Sequence, residues 1–557
     1  MKFNLAAAGY MPDDNERCQQ IDGMIGQIAQ FLSEGEKSET PQINILISPE
    51  YSGGYWETQA KKNGLSVHGY ALLSDREKLT DCARTVCIDS SLRSVIGESM
   101  CNSADLLLLV WNEDVAEMDG ATWELLQLAQ RIKTPCIWIS SKTGEIYWTD
   151  ESCFEPYHTD YMRELCRNMK ADVITPTIHN KNKSFYIALG EYFNNRFLRR
   201  HKAQSSVMNA EKDVLLRDDF SEEGNSEGEK LRKDMLDKFR RYDGAAVEYA
   251  SRYHAVMYWR AILPFITTIF IGIGFYISAI FKLMPYGRDT LIGNADIIAG
   301  VGFLIHGLLN LYVYFLSKDD RIRRSHSKFI NTRYIAEMLR VLIHFVPYGI
   351  SVNLRKLSRG NKNVYATIRN FICETDCGSL EMNRDKVGVV CTHTIEMVED
   401  QINYHRVSKE RYKLIIDKLD KWYKWLFSLG FISVILRAFL QFAMAVKPLH
   451  FSIGGIEFDN GLMSSLANMV AMMLPAWAAY FSSKMVQCNY RYNYENHMRM
   501  EENLTEELKR LKHINKLDSP VLVEALANVA ENLAQTMLVS DTGTWHSKMQ
   551  AADVKQL

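Results

Sequence analysis

Three features of the sequence predict an α/β fold: a Rossmann-like parallel-sheet N-terminal domain, then an all-α membrane region with four transmembrane helices and long cytoplasmic helices. Apolar runs of strand length alternate with helix-length stretches over residues 1–150. Four later segments are apolar over the roughly 20 residues that a bilayer requires. Polar stretches of helical character flank them.

"FNLAAAG" (3–9) and "INILIS" (43–48) read as buried strands, each followed by a turn that carries glycine. "LSVHGYAL" (65–72), "ADLLLLVW" (104–111) and "PCIWIS" (135–140) read as three more, with helices predicted over 17–33, 55–63, 88–101 and 121–132. In such sheets ligands sit at the carboxyl ends of the strands, beside helix N-termini. Three turns converge there and supply the candidate ligand-binding residues. "AGYMPDD" offers Gly9 and Tyr10, and "SPEYSGGYW" offers Ser52, Gly53 and Gly54. "WNEDVAEMDGATWELLQLA" offers Trp111, Asn112, Asp119, Gly120 and Thr122. The glycines let backbone amides approach a phosphate closely.

The pair "ILISPEYSGG…GLSVHGYAL" and "ADLLLLVW…MDGATWELLQLAQRIKTPCIWI" resembles a SLOG domain, over roughly residues 1–150. That Rossmann-like group includes nucleotide phosphoribohydrolases and sensors of nucleotide-derived signals, so the resemblance implies a cyclic or NAD-derived nucleotide as ligand. Enzymes of the group carry a Gly-Thr pair with a catalytic Glu three positions after the Thr. Here Ala121 precedes Thr122, Leu125 stands at the third position after it, and Glu124 is one step out of register. Arg93 is the nearest candidate for the arginine such enzymes use. The resemblance therefore implies binding without cleavage: no catalytic residue is assigned and no cofactor is expected.

Residues 151–234 read as a helical extension and an acidic linker, "DDFSEEGNSEGEK" (218–230), nearly free of apolar residues. The predicted spans are Ala261–Phe281, Ile297–Leu316, Trp425–Val446 and Leu462–Phe481, forming two hairpins with connectors 282–296 and 447–461. Lys and Arg crowd the opposite ends, for example Lys318, Arg321, Arg323 and Arg324 after the second span and Lys418, Lys421 and Lys424 before the third. By the positive-inside rule both termini and the N-terminal domain face the cytoplasm. The eleven cysteines all fall in segments assigned to that reducing side, and "MKFNLAAAGYMPDD" lacks the apolar core of a signal peptide.

"HSKFINTRYIAEMLR" (326–340) resembles the signature helix of SLATT proteins, two-transmembrane effectors that accompany SLOG and nucleotidyltransferase modules. "QINYHRVSKERYKLI" (401–415) and "LPAWAAYFSSKMVQCNYRYNYE" (474–495) are similar to later parts of the four-span members. On this reading 235–350 is the first transmembrane hairpin with its signature helix and 351–424 a cytoplasmic helical connector. Residues 425–515 are the second hairpin with a cytoplasmic helix, and 516–557 is a C-terminal tail. Within the signature helix Arg333, Glu337 and Arg340 share one face and can pair along it, while Ile330, Tyr334, Met338 and Leu342 form an apolar face suited to another helix.

The spans carry polar stripes: Gly302, His306 and Asn310 in the second, Gly430, Ser433, Arg437 and Gln441 in the third, Asn468 in the fourth. Arg437 sits near the middle of its span, where a charge costs at least a few kcal/mol. His306, Asn310, Ser433, Arg437, Gln441 and Asn468 are therefore expected to line a bundle interior or pore. Four spans per chain are few for a channel, so a homo-oligomer is expected. Cys373, Cys377, Cys391 and His393 follow a C-x3-C-x13-C-x-H spacing, but no second pair reinforces it and no metal is expected. A net charge of −2 gives no signal for nucleic acid.

The family resemblances together imply a bacterial antiphage effector of the inner membrane. A nucleotide messenger, made by an enzyme encoded nearby, would trigger permeabilisation of the lipid bilayer. Two alternatives stand beside this expectation: a membrane-tethered nucleotide hydrolase and a constitutive ion or solute transporter.

Overall fold

The computed structural model describes residues 2–9, 15–34, 41–52, 54–111, 120–150, 153–171, 173–176, 226–281, 300–309, 320–358, 361–374, 379–447, 451–453, 456–458, 460–517 and 522–538, with a few isolated positions between 188 and 312. The 218–230 linker falls outside them except where a helix begins at Ser226.

The first half alternates strands and helices as expected: β1 (Lys2–Gly9), α1 (Asn15–Ser33), β2 (Gln42–Ile47), α2 (Tyr55–Lys62), β3 (Ser66–Leu72), β4 (Arg84–Ile88), α3 (Arg93–Ser103), β5 (Leu106–Trp111), α4 (Ala121–Ile132) and β6 (Cys136–Ser140). The apolar runs form strands because both faces of the sheet are covered, so continuous burial is favourable. Strand order is β8-β7-β6-β5-β1-β2-β3-β4-β9. The pairings from β6 across to β9 are parallel, but β7 (Ile146–Thr149) and β8 (Glu155–Pro156) run antiparallel. The expected all-parallel sheet is thus a mixed, parallel-dominated one of nine strands.

Its ninth strand comes from far along the chain. β9 (Ser379–Met382) pairs with β4 in the register Val86↔Leu380 and Ile88↔Met382. It belongs to the stretch read as a helical connector, and its four residues are too short a run to give a strand period. After α5 (Thr159–Met169), the remainder is helical: α6 (Ser226–Phe281), α7 (Asp320–Leu342), α8 (Leu354–Ser358), α9 (Lys362–Glu374), α10 (Arg384–Val446), α11 (Asn460–Gln487), α12 (Tyr490–Ile514) and α13 (Leu522–Leu538). The connector after α10 holds a two-stranded hairpin, β10 (Phe451–Ile453) and β11 (Ile456–Phe458).

One face of the sheet packs on α1, α2 and α5 through Phe3, Ile28, Trp56 and Met162. The other face continues past α3 and α4 into the helical region, so that Leu107, Leu125, Met338, Leu339, Met397 and Leu533 share one core. α13, inside the predicted tail, is part of that core. A buried ion pair fastens the two halves. Arg369 on α9 donates from Nε to Asp105 Oδ1 at 2.7 Å, and its Nη2 pairs with the other carboxylate oxygen. Asp105 also accepts from the Asn4 backbone amide at 2.7 Å. Burial opposes the guanidinium charge, but Asp105 outweighs it and holds Arg369 above its ordinary value.

On the Arg333–Glu337–Arg340 face of α7, Glu337 and Arg340 are buried and Arg333 is half-buried. Glu337 pairs with both arginines, Arg333 reaches Asp243 on α6 at 2.7 Å, and Arg340 lies over the Phe239 ring at 5.2 Å. The opposite face, with Ile330, Tyr334, Met338 and Leu342, is buried as well.

Where four spans are expected, one helix among the described residues is long and apolar enough to cross a membrane: the Lys386–Val446 stretch of α10. The second predicted span is described only in part, as a shorter apolar helix, Gly300–Leu309. The first and fourth fall within α6 and α11, each of which includes side chains outside those described. α6 and α11 meet where a Cβ on Gly272 would lie 2.7 Å from Met473 Sδ.

One buried histidine, His344, and one half-buried, His393, give this core a pH dependence. Burial and the neighbouring Arg232 lower His344 to about 3 and His393 to about 4. Below pH 6.5 the unfolded chain takes up protons that the folded protein refuses, so stability present above pH 6.5 is lost as pH falls. His344 contributes a slope of up to about 1.4 kcal/mol per pH unit, and the half-buried His393 less. Denaturation midpoints measured between pH 7 and 5 should fall in the parent protein and fall less in His344→Gln; superimposable curves would count against this origin.

Candidate functional site

Strand order reverses at β1, whose neighbours are β2 on one side and β5 on the other. The crevice beyond the ends of β1 and β5 is where such sheets hold ligands. The structure brings Gly9, Ser52, Gly54, Trp111, Gly120 and Thr122 to this edge, on β1, β5 and the turns that follow β2 and β5. Tyr10, Gly53, Asn112 and Asp119 lie outside the described residues.

Gly9 is required by geometry. Its φ is +100°, and a Cβ there would stand 1.9 Å from the Val110 carbonyl oxygen. Its amide donates to Tyr51 O at 3.0 Å, and its carbonyl accepts from Trp56 Nε1 at 3.3 Å. Ser52 braces the turn: its hydroxyl donates to Ala7 O and accepts from the Ser48 amide at 3.1 Å. Gly54 opens α2 at φ −56°, and a Cβ added there would meet no atom within 4 Å. Gly120 opens α4, and neither helix start has a side-chain cap. Two uncapped helix starts at one edge leave backbone N–H groups for an anion.

The aromatic flank is more extensive than the sequence suggests. Trp111 lies 5.4 Å from both Trp123 and Trp138, and Trp138 stacks on Tyr147 at 4.7 Å, with Phe154 at 5.5 Å. The Trp111 indole N–H is buried without a hydrogen-bond partner. These rings come from β5, α4, β6, β7 and the segment before β8, so only pairing of the strands assembles them.

The positions compared with the catalytic residues of SLOG enzymes have structural partners. Leu125 is buried in the sheet core, and Glu124 is held by Arg93 Nε at 2.6 Å. Tyr51 donates to Arg93 O at 3.0 Å; burial, with Glu124 beside it, raises the phenol well above its ordinary value. Glu50, which no sequence pattern singles out, accepts from the Leu72 amide at 3.2 Å and so joins the β2 and β3 turns. "SPEY" contains it, but nothing local marks it.

The second candidate set lies on the apolar hairpin. Over residues 425–446 of α10 the less exposed residues are Leu426, Leu429, Gly430, Ser433, Arg437, Leu440 and Met444. Gly430 packs on α11, where its Cβ would meet Pro475 Cδ at 3.1 Å. Counting two turns away from that crossing along each antiparallel helix brings Arg437 and Asn468 to one level. Arg437 Nε and Asn468 Oδ1 are both buried without a hydrogen-bond partner. Ser433 bonds back to Gly430 O at 2.7 Å. Gln441 is exposed within the chain and lies about 60° from the packed seam at 3.6 residues per turn. His306 is on the less exposed side of the Gly300–Leu309 helix, and Asn310 lies outside the described residues.

Cys391 is buried in the shared core, Cys373 sits beside Asn4 at the opposite end of the sheet, and Cys377 is outside the described residues. The described residues hold no group of three side chains, His393 included, that could ligate a metal. No protein-family model matches this chain, and no curated protein matches it.

Proposed function

We propose that this chain is a ligand-gated membrane effector: a nucleotide-derived signal binds at the β1–β5 crevice, and the apolar hairpin responds by opening or assembling. The carrying observation is α10. It starts at the Asn383 cap directly after β9, the edge strand of the sheet, and runs unbroken to Val446. Its 63 residues span about 95 Å at 1.5 Å per residue. A rearrangement of the sheet edge therefore has a rigid shaft to the apolar end.

Among the described residues the apolar end of α10 is largely uncovered. Phe427, Phe431, Ile435, Phe439 and Phe442 are exposed, which suits lipid or further copies in a homo-oligomer. The polar seam with Arg437 on the packed side suits a bundle interior. The basic residues at the inner ends of the spans support a cytoplasmic sensor and cytoplasmic termini in a bacterial inner membrane with four spans. The SLOG and SLATT resemblances support a part in antiphage immunity.

The test is dye release from proteoliposomes on addition of cyclic nucleotides or ADP-ribose. Release that depends on one of them is expected; release without any would favour the transporter. A second reading, nucleotide hydrolysis, is favoured by the Arg93–Glu124 pair at the crevice mouth. Base or ribose release without dye release would select it.

Gly54→Asp is expected to abolish nucleotide binding while the fold survives. The position is helical and open, so a side chain fits, and an acid at a helix start is tolerated. The new carboxylate repels the phosphate. Equilibrium binding by the folded variant at the parent affinity would remove the crevice assignment.

A further inference from the structure

A second pocket lies at the other end of the sheet, where β3, β4 and β5 begin, against the 342–373 segment of the helical region. Its cavity volume is about 70 Å³, room for a few waters or one small polar molecule where a single water needs roughly 10–15 Å³. Tyr70, Arg84, Asn102, Ser351, Tyr365 and Arg369 are among its walls.

Asp105 is the one carboxylate among the described residues that line it, and that carboxylate is engaged by Arg369 and the Asn4 amide. Arg369 is likewise occupied, by Asp105, by the Lys2 carbonyl and by Asn370. Arg84 has no such counter-charge among the described residues of the wall. Its Nε is buried and has no hydrogen-bond partner, and Asn102 Oδ1 is in the same condition. A buried unpaired donor and a buried unpaired acceptor on one cavity wall are each destabilising unless a ligand or water meets them. The cavity walls also include the Tyr70 and Tyr365 rings, which can cover the apolar part of a ligand.

We propose that this pocket binds a small organic anion, its phosphate or carboxylate on Arg84 and a hydroxyl or amino donor on Asn102 Oδ1. The sheet supplies Arg84 and α3 supplies Asn102, while Ser351, Tyr365 and Arg369 close the opposite wall. Occupancy therefore ties the sheet to the helical region at a site separate from the β1–β5 crevice.

The experiment uses the detergent-solubilised full chain in phosphate-free buffer, with ribose 5-phosphate as the probe and ribose as its neutral control. Two readouts are taken: the melting temperature, and the alkylation rate of Cys373, a half-buried thiol on the pocket wall, resolved by peptide mass spectrometry. Ribose 5-phosphate should raise the melting temperature by mass action and slow Cys373 alkylation several-fold. Inorganic phosphate should compete with it, and ribose should do neither. Arg84→Gln should erase both effects, whereas Gly54→Asp should leave both intact, so failure at the crevice and failure here are separately visible. Equal protection by ribose, no protection by ribose 5-phosphate, or full protection in a folded Arg84→Gln would each overturn the assignment. If Arg84→Gln does not fold, the contrast between the two sugars in the parent protein decides alone.

Discussion

Arg369→Met is expected to lower the stability of the whole chain by about 3–5 kcal/mol, the usual cost of stranding one member of a buried ion pair. Arg369 and Asp105 are 5% and 2% exposed, so neither charge can turn to water when its partner is removed. The loss should not be confined to α9. The carboxylate left behind lies at the start of β5, and the Asn4 amide that binds it lies on β1, at the centre of the sheet. Tryptophan fluorescence during thermal unfolding of the solubilised protein is the direct measurement, with ten tryptophans to report. The double change Asp105→Leu with Arg369→Met should recover much of the loss, because an apolar pair carries no charge to desolvate. A single mutant that melts with the parent would mean that the two halves are held together elsewhere.

On the proposed membrane reading, Arg437→Leu should leave insertion and abundance intact, since it removes a charge that would cost at least a few kcal/mol at mid-membrane. On the proposed reading it should abolish or reshape nucleotide-triggered release. Arg437 faces the α11 seam, level with Asn468, and both carry a buried polar atom without a partner. Water between them, accepting from Arg437 Nε–H and donating to Asn468 Oδ1, would satisfy both, and leucine would dry that level of the bundle. Arg437→Lys should keep part of the response and change ion preference, because lysine retains the charge without the planar fork. Dye and ion flux from proteoliposomes measures both. Unchanged flux and selectivity in Arg437→Leu would remove the lumen from the mechanism.

The sequence by itself determined the elements whose burial is continuous or periodic. The apolar runs at β1, β2, β3, β5 and β6 and the helix at Ala121–Ile132 are legible because each carries its own apolar pattern between turn residues. The same periodicity puts Gly430, Ser433 and Arg437 on the less exposed side of α10, while Gln441 is exposed within the chain. Tertiary structure decided what depends on distant partners. β4 and β9 are short: β4 is held between β3 and β9, and β9 is a strand because β4 lies beside it. Glu337 is buried because α6 supplies Asp243 and Phe239 around its arginine partners. Arg369 finds Asp105 across 264 residues, and Arg84 and Asn102 share a cavity wall only after the sheet closes against the helices. A local pattern records which face of a segment is buried, whereas the identity of what buries it is a property of the assembled chain.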